Sequence, residues 1–179
     1  MADTDRSVSA LQTLLADNTS GDISPQDLRD MLVSLTPAFG GMYISATAPT
    51  VFADTVTPVK ALGTTTVIGT PRNFSMAASN RLTYTGTADI LAFCLATLAV
   101  TSAGNNQVSK MSFAKNGTVT ASSVIQRKIS TGTDVGAASI IGLGPMSTND
   151  YTEVFLQNAT STTNITLENM SVAVFGFVT

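Results

Sequence analysis

The sequence predicts a mainly β fold, an antiparallel sandwich or jelly roll with two short helices ahead of it. Three observations predict this. Thr occurs 28 times and Ser 18 times, so over a quarter of the 179 residues are small and hydroxylated, and the branched Thr side chain suits a pleated sheet. From Asn73 onward, short β-prone stretches recur between Gly, Asn and Ser-Thr clusters, a spacing that fits sandwiches and jelly rolls rather than βαβ units. Only 12% of residues are charged and 44% are hydrophobic, with a mean hydropathy of +0.26, against about 25% charged in a typical soluble domain. A chain of this length holds one ordinary domain plus an appendage.

The elements follow in order. Val8, Leu11, Leu14 and Leu15 keep helical spacing from about Asp5 to Asp17, and Asn18 to Gly21 supply the stop. A second helix is capped by Ser24, with Pro25 at its first position and Asp27 as the capping-box partner. Leu28, Met31, Leu32 and Leu35 then form an i, i+3, i+4, i+7 stripe that Thr36-Pro37 ends. Helices this short are marginal alone, so their apolar faces must dock on the protein's own body or on a partner.

Residues 39–72 are rich in Thr, Pro, Ala and Gly and read as a linker with edge strands. The organisation is therefore an N-terminal helical segment over 1–38, this linker, and a β domain over 73–179. Strands are expected near 73–76, 81–84, 89–100, 110–115, 118–120, 123–129, 139–143, 151–157, 164–167 and 171–178. The run Met111 to Thr120 alternates into Asn116-Gly117, whose tolerance of positive φ predicts a type I′ hairpin.

Two strands break the usual alternation. Ile90, Ala92, Cys94, Ala96 and Leu98 form one face of a strand, and Leu91, Phe93, Leu95 and Ala99 form the other. The last strand repeats this with Val172, Val174 and Val178 against Ala173, Phe175 and Phe177. A run such as Ile90 to Val100 also suits a buried helix, but Gly86, Gly104 and the surrounding β pattern favour a strand. Both faces read as buried, and one core of about 100 residues cannot cover both. A second copy of the same surface is the natural cover, so the chain is expected to be an obligate oligomer.

The chemistry is narrow. His and Trp are absent and Cys94 is the single cysteine, which excludes imidazole triads, Cys/His zinc sites and intrachain disulfides. No phosphate-binding, dinucleotide or nucleophile-elbow motif occurs. Asp54, Asp89, Asp134, Asp150, Glu153 and Glu168 are scattered and read as solvated loop and edge charges. Asp150 and Glu153, three apart, make a poor glycosidase pair. Cys94 reads as a small buried hydrophobe. No catalytic residue, cofactor or metal is expected. The net charge of −3 divides into −4 over residues 1–36 and +1 beyond, with no basic stripe for nucleic acid. The N-terminus lacks the pattern of a signal peptide, and no apolar run reaches the roughly 20 residues of a membrane span. Synthesis in a cytoplasm without membrane insertion is the expectation.

Several pieces resemble the complement-C1q/tumour-necrosis-factor jelly roll found in many virion proteins. They are Arg81-Leu-Thr-Tyr84-Thr-Gly86, Phe113-Ala-Lys115-Asn116-Gly117, Asn149-Asp150-Tyr151 leading into Val154-Phe-Leu-Gln-Asn158, and Asn164-Ile-Thr-Leu with Ser171 to Val178. Asn149 stands where the family usually has Gly, and it tolerates the same positive φ. The segment Ile23 to Ser34 leading to Phe39-Gly-Gly-Met-Tyr43 is similar to leading segments of tailed-bacteriophage structural proteins. The resemblance implies a homotrimer whose inner-sheet strands pack together around a three-fold axis, with Leu91, Phe93, Leu95, Phe175 and Phe177 at the trimer interface. It implies a non-enzymatic virion structural protein, a capsid decoration or head fibre on the virion surface. Leu28, Met31, Leu32 and Leu35 would anchor it to the capsid or another virion protein. The alternative is a tail-fibre tip recognising a host-surface glycan or protein.

Overall fold

The computed structural model describes residues 4–15, 23–131 and 133–179. Asn18 to Gly21, expected to stop the first helix, lie outside the described residues. The chain opens with helices α1 (Val8–Leu14) and α2 (Pro25–Leu35). The second starts as its sequence dictates: Ser24 Oγ accepts from the Asp27 N–H, and the Asp27 carboxylate accepts in return from the Ser24 N–H. The strands follow as β1 (Ala38–Thr47), β2 (Pro49–Thr50), β3 (Val59–Lys60), β4 (Gly63–Val67), β5 (Phe74–Ala78), β6 (Arg81–Tyr84) and β7 (Ile90–Ser102). Then come β8 (Gln107–Lys115), β9 (Thr118–Val119), β10 (Ile125–Ile129), β11 (Gly136–Met146), β12 (Tyr151–Asn158) and β13 (Ile165–Val178).

Two antiparallel sheets result. One runs β11-β7-β13-β1-β4, with β2 on β13, and the other runs β10-β8-β12-β6-β5, with β3 on β12 and β9 on β8. The chain crosses from sheet to sheet between β2 and β3, β3 and β4, β4 and β5, β6 and β7, β7 and β8, β10 and β11, β11 and β12, and β12 and β13. Hydrogen-bonded neighbours are therefore mostly remote in sequence, as in a jelly roll. The fold is a mainly β, antiparallel jelly-roll sandwich with two short N-terminal helices.

Local chemistry sets the turns. Asn116 and Gly117 have φ of 51° and 78°, and Lys115 pairs with Thr118 and Ala114 with Val119, which is the hairpin the Asn-Gly pair predicts. Asn149 takes φ 73° beside Asp150. The pieces expected at 164–167 and 171–178 are one strand, β13, with a register shift between Leu167 and Asn169. A bulge lets the strand continue where a change of pattern reads as a break.

Alternation places the core between the sheets. Ile90, Ala92, Cys94, Ala96, Leu98 and Val100 of β7 and Val172 and Val174 of β13 face Met111, Phe113, Val154, Leu156, Leu82 and Tyr84 of the other sheet. The strand buried on both faces is β12, not β7 or β13. Its outer side chains are covered by part of the segment expected as a linker: Gln157 donates to Thr55 O at 2.7 Å, the Ala61 N–H donates to Val154 O at 3.0 Å, and Lys60 Nζ meets Glu153 at 2.9 Å. Residues 39–72 are thus woven into both sheets through β1, β2, β3 and β4. Glu153 is a correction as well. It is not a solvated edge charge but a buried carboxylate held by Lys60 and by Arg81 at 3.0 Å, because the covering segment closes over it.

Candidate functional site

The outer face of the β11-β7-β13-β1 sheet is the surface that calls for a function. Register places Pro145, Leu91 and Phe177 in one cross-strand row. Leu143, Phe93, Phe175 and Phe39 form the next, and Ile141, Leu95, Ala173 and Gly41 the one after. Neighbouring strands lie about 4.8 Å apart, so these side chains touch across the ladder as one continuous surface. Leu91, Phe93, Leu95, Phe39, Ile141, Leu143, Phe175 and Phe177 are each 38–60% exposed. Side chains of this size leave on the order of 700 Å² of apolar area open to water, above the roughly 300–600 Å² of the largest patch on a typical monomer.

No charge interrupts it. Above the apolar rows the same face continues as Ser139, Thr97, Ser171 and Tyr43, and beyond these a carboxylate appears, Glu168, which accepts from the Thr101 hydroxyl at 2.6 Å. An apolar patch of this size exposed to water in the working protein would be broken by charged groups. The structure brings together Leu91, Phe93, Leu95, Phe175 and Phe177. Sequence reasoning missed Ile141, Leu143 and Phe39: Ile141 and Leu143 lie inside the expected strand 139–143, but Gly142 and Gly144 alternate with them, so that strand shows no run that is apolar on both faces.

The second surface is α2. Leu28, Leu32 and Leu35 are 48%, 62% and 65% exposed and Met31 is half-buried, whereas Asp30 and Ser34 are buried. The helix is inverted, with its polar side against the protein and its leucines in water. Its C-terminal end is held by Arg72, whose guanidinium donates to Val33 O at 2.7 Å, to Pro37 O at 3.2 Å and to Thr36 O. Only two residues separate α2 from β1, so Leu35, the last of the stripe, lies four residues before Phe39 in the apolar rows.

The remaining candidates do not converge. Asp150 meets Lys115 at 2.7 Å while Glu153 is enclosed by Lys60 and Arg81. Burial pushes the Asp150 carboxyl up, but hydrogen bonds from Lys115, Asn116 and the Ser147 N–H outweigh it and leave it below the usual range. Among the described residues, no three His, Cys, Asp or Glu side chains gather where a metal could sit. Cys94 is buried and lines a space of about 300 Å³ between the sheets with Ala92, Phe113, Met146 and Thr152. Burial pushes its thiol up to about 11, against a smaller lowering by the Thr152 hydroxyl. The three tyrosines form no cluster. Tyr84 is in the core, Tyr151 lies under the Arg81 guanidinium at 3.9 Å, and Tyr43 belongs to the sheet face. Among the described residues no helix is long and apolar enough to cross a membrane.

Neither a protein-family model nor a curated protein matches the chain. Among solved structures it is similar to murine APRIL at pH 8.5, with a TM-score of 0.40 and 8% identity over 78% of this chain and 99% of that one. Murine APRIL at pH 5.0 gives 0.39 and 12% over 76% and 98%. A family 35 carbohydrate binding module from Clostridium thermocellum gives 0.33 and 11% over 76% and 97%. Likeness at this level adds nothing to the fold, which rests on strand order and register.

Proposed function

We propose that the chain is a non-enzymatic structural protein of a bacteriophage virion: a homotrimeric capsid decoration or head fibre that projects its jelly roll and attaches through its N-terminal helices. One observation carries this reading. The subunit holds two uncovered apolar surfaces, the uncharged apolar rows of the β11-β7-β13-β1 sheet and the leucine stripe of α2. The first exceeds the largest apolar patch of a typical monomer, and three such faces of about 700 Å² each would bring about 2,000 Å² of apolar surface into one closed assembly. The count of three comes from the C1q/TNF resemblance, and the virion from the likeness of Ile23 to Ser34 to phage structural segments.

The second surface is then left for another molecule. Three copies of a short stripe, carried on one trimer, bind a repeating shell far more firmly than one, because each attached helix raises the effective concentration of the next. The experiment is to locate the protein on intact particles by electron microscopy and to replace Leu28, Met31 and Leu32 together with Ser. Folded trimers released from the particle surface are the expected result. Variants that unfold would assign the stripe to the protein's own stability and end the anchoring role, and trimers that stay bound would end it too.

A further inference from the structure

Thr4 to Ser7 precede α1 as an extended strap whose groups alternate between two neighbours. Toward α2, the Thr4 N–H donates to Asp30 Oδ1 at 3.0 Å and the Arg6 N–H donates to Ser34 Oγ at 2.8 Å. The Arg6 guanidinium meets Asp30 Oδ2 through Nε and Nη2, both at 2.8 Å. Asp5, between them, turns the other way. Its carboxylate meets Arg72 at 3.4 Å and accepts from Asn73 Nδ2, and its carbonyl accepts from the Thr87 hydroxyl at 3.4 Å. The strap is wedged between the helix and the end of the sandwich.

The orientation of α2 is the independent observation. At about 100° per residue, Leu28, Leu32 and Leu35 share one side of the helix and Asp30, Ser34, Val33 and Gln26 lie roughly opposite. An amphipathic helix beside a protein body ordinarily turns its apolar side inward. Here Asp30 is 1% exposed and Leu32 is 62% exposed. What opposes the ordinary orientation is a set of hydrogen bonds on the Asp30 carboxylate: Gln26 of the helix donates one at 2.7 Å, and the strap supplies the Thr4 N–H and the charged pair from Arg6.

We propose that Thr4 to Ser7 are a positioning strap that holds α2 with its leucines outward, and that α2 turns over when the Arg6–Asp30 contact is lost. An unpaired Asp30 must then reach water, and the leucines take its place. This deepens the docking reading of α2, since it supplies the reason the stripe is presented at all.

The test uses the full chain without particles. In a Cys94→Ala background, Leu32→Cys is labelled with a maleimide, and a second chain carries Val33→Cys on the strap side. With Arg6 intact, position 32 should label quickly and position 33 slowly. Adding Arg6→Ala should slow position 32 by at least about tenfold and speed position 33, as a shift from mostly outward to mostly inward requires. The swapped pair Arg6→Asp with Asp30→Arg should return both rates toward the starting values. Unchanged or faster labelling at position 32 in Arg6→Ala means a fixed or melted helix and overturns the proposal. If that variant precipitates, Thr4→Pro, which removes only one donor, must move the rates the same way or the proposal fails. Should α2 turn over as expected while particle attachment is unaffected, the strap stands and the docking reading falls.

Discussion

Tyr84 is fully buried, its hydroxyl donates to Ala88 O at 2.6 Å, and its ring packs on Phe74 with centroids 5.4 Å apart. Burial pushes its phenol up to about 12. The bend back toward the ring is so close that a Cβ added at Gly86 would lie 2.2 Å from Tyr84 Oη and 2.4 Å from Cζ. A ring cannot fold aside as an aliphatic tip can. Gly86→Ala is therefore expected to cost about 1–3 kcal/mol of stability by overpacking, and Tyr84→Phe about 1 kcal/mol by stranding the Ala88 carbonyl. Urea unfolding of the two variants checks both, and a neutral Gly86→Ala would show that the turn relaxes freely. The motif Arg81 to Gly86 stood out in the sequence for its likeness to other chains, but its reason is steric and visible only in three dimensions. Glu153 makes the same point. Its partners Lys60 and Arg81 are remote along the chain, so nothing near position 153 announces a buried carboxylate.

Among the elements, α2 carries two carboxylates whose shifted titration ties its stability to pH. The Asp27 carboxyl is held below its ordinary range first by the Ser24 N–H and then by the Ser24 hydroxyl. Asp30 is held below it first by the Thr4 N–H, then by Gln26 and Arg6. A carboxylate with a lowered folded-state pKa stabilises at pH values above its unfolded value near 4, and that contribution disappears as pH falls through the folded value. Acidification from pH 7 to below about 4 should therefore loosen α2 while the sandwich persists. Hydrogen exchange of the α2 amides against those of β7 and β13 checks this, and equal protection of α2 at both pH values would refute it. Ser24→Ala should weaken the helix by about 1 kcal/mol at neutral pH, the usual loss of a cap. The same caps make α2 legible in the sequence, as alternation does for β6 and Asn-Gly does for the β8–β9 hairpin. The segment over residues 39–72 is not legible in this way. Its Thr, Pro and Gly satisfy local rules for a loop, and its place in the sheets is fixed by long-range pairing with β13 and β12 that no window of sequence contains.

At the scale of the whole molecule, the alternation of β7 and β13 has a clear reading, apolar on both faces, but the two faces meet different fates. One is the core of the subunit. The other is left in water beside β11 and β1, where three cross-strand rows of the face carry no charge. A lone subunit with this surface would associate non-specifically unless a defined partner closed over it, and a copy of the same chain is always present at matching concentration. Sedimentation equilibrium should give three times the 18.5 kDa chain mass, with no monomer at micromolar concentration. Phe93 sits at the centre of the apolar rows between Leu143 and Phe175, and its side chain points away from the core. Phe93→Asp should therefore leave the core intact yet place a carboxylate from every copy in one apolar contact, where desolvation and mutual repulsion act together. Folded monomer is the expected product, with an unfolding midpoint that no longer depends on protein concentration, whereas the parent's midpoint should rise with it. A control at the hydroxyl end, Ser171→Ala, should leave the trimer in place. If Phe93→Asp still sediments as three chains, the apolar face is not what joins them. A stable single copy of the unmodified chain would remove the need for an assembly altogether.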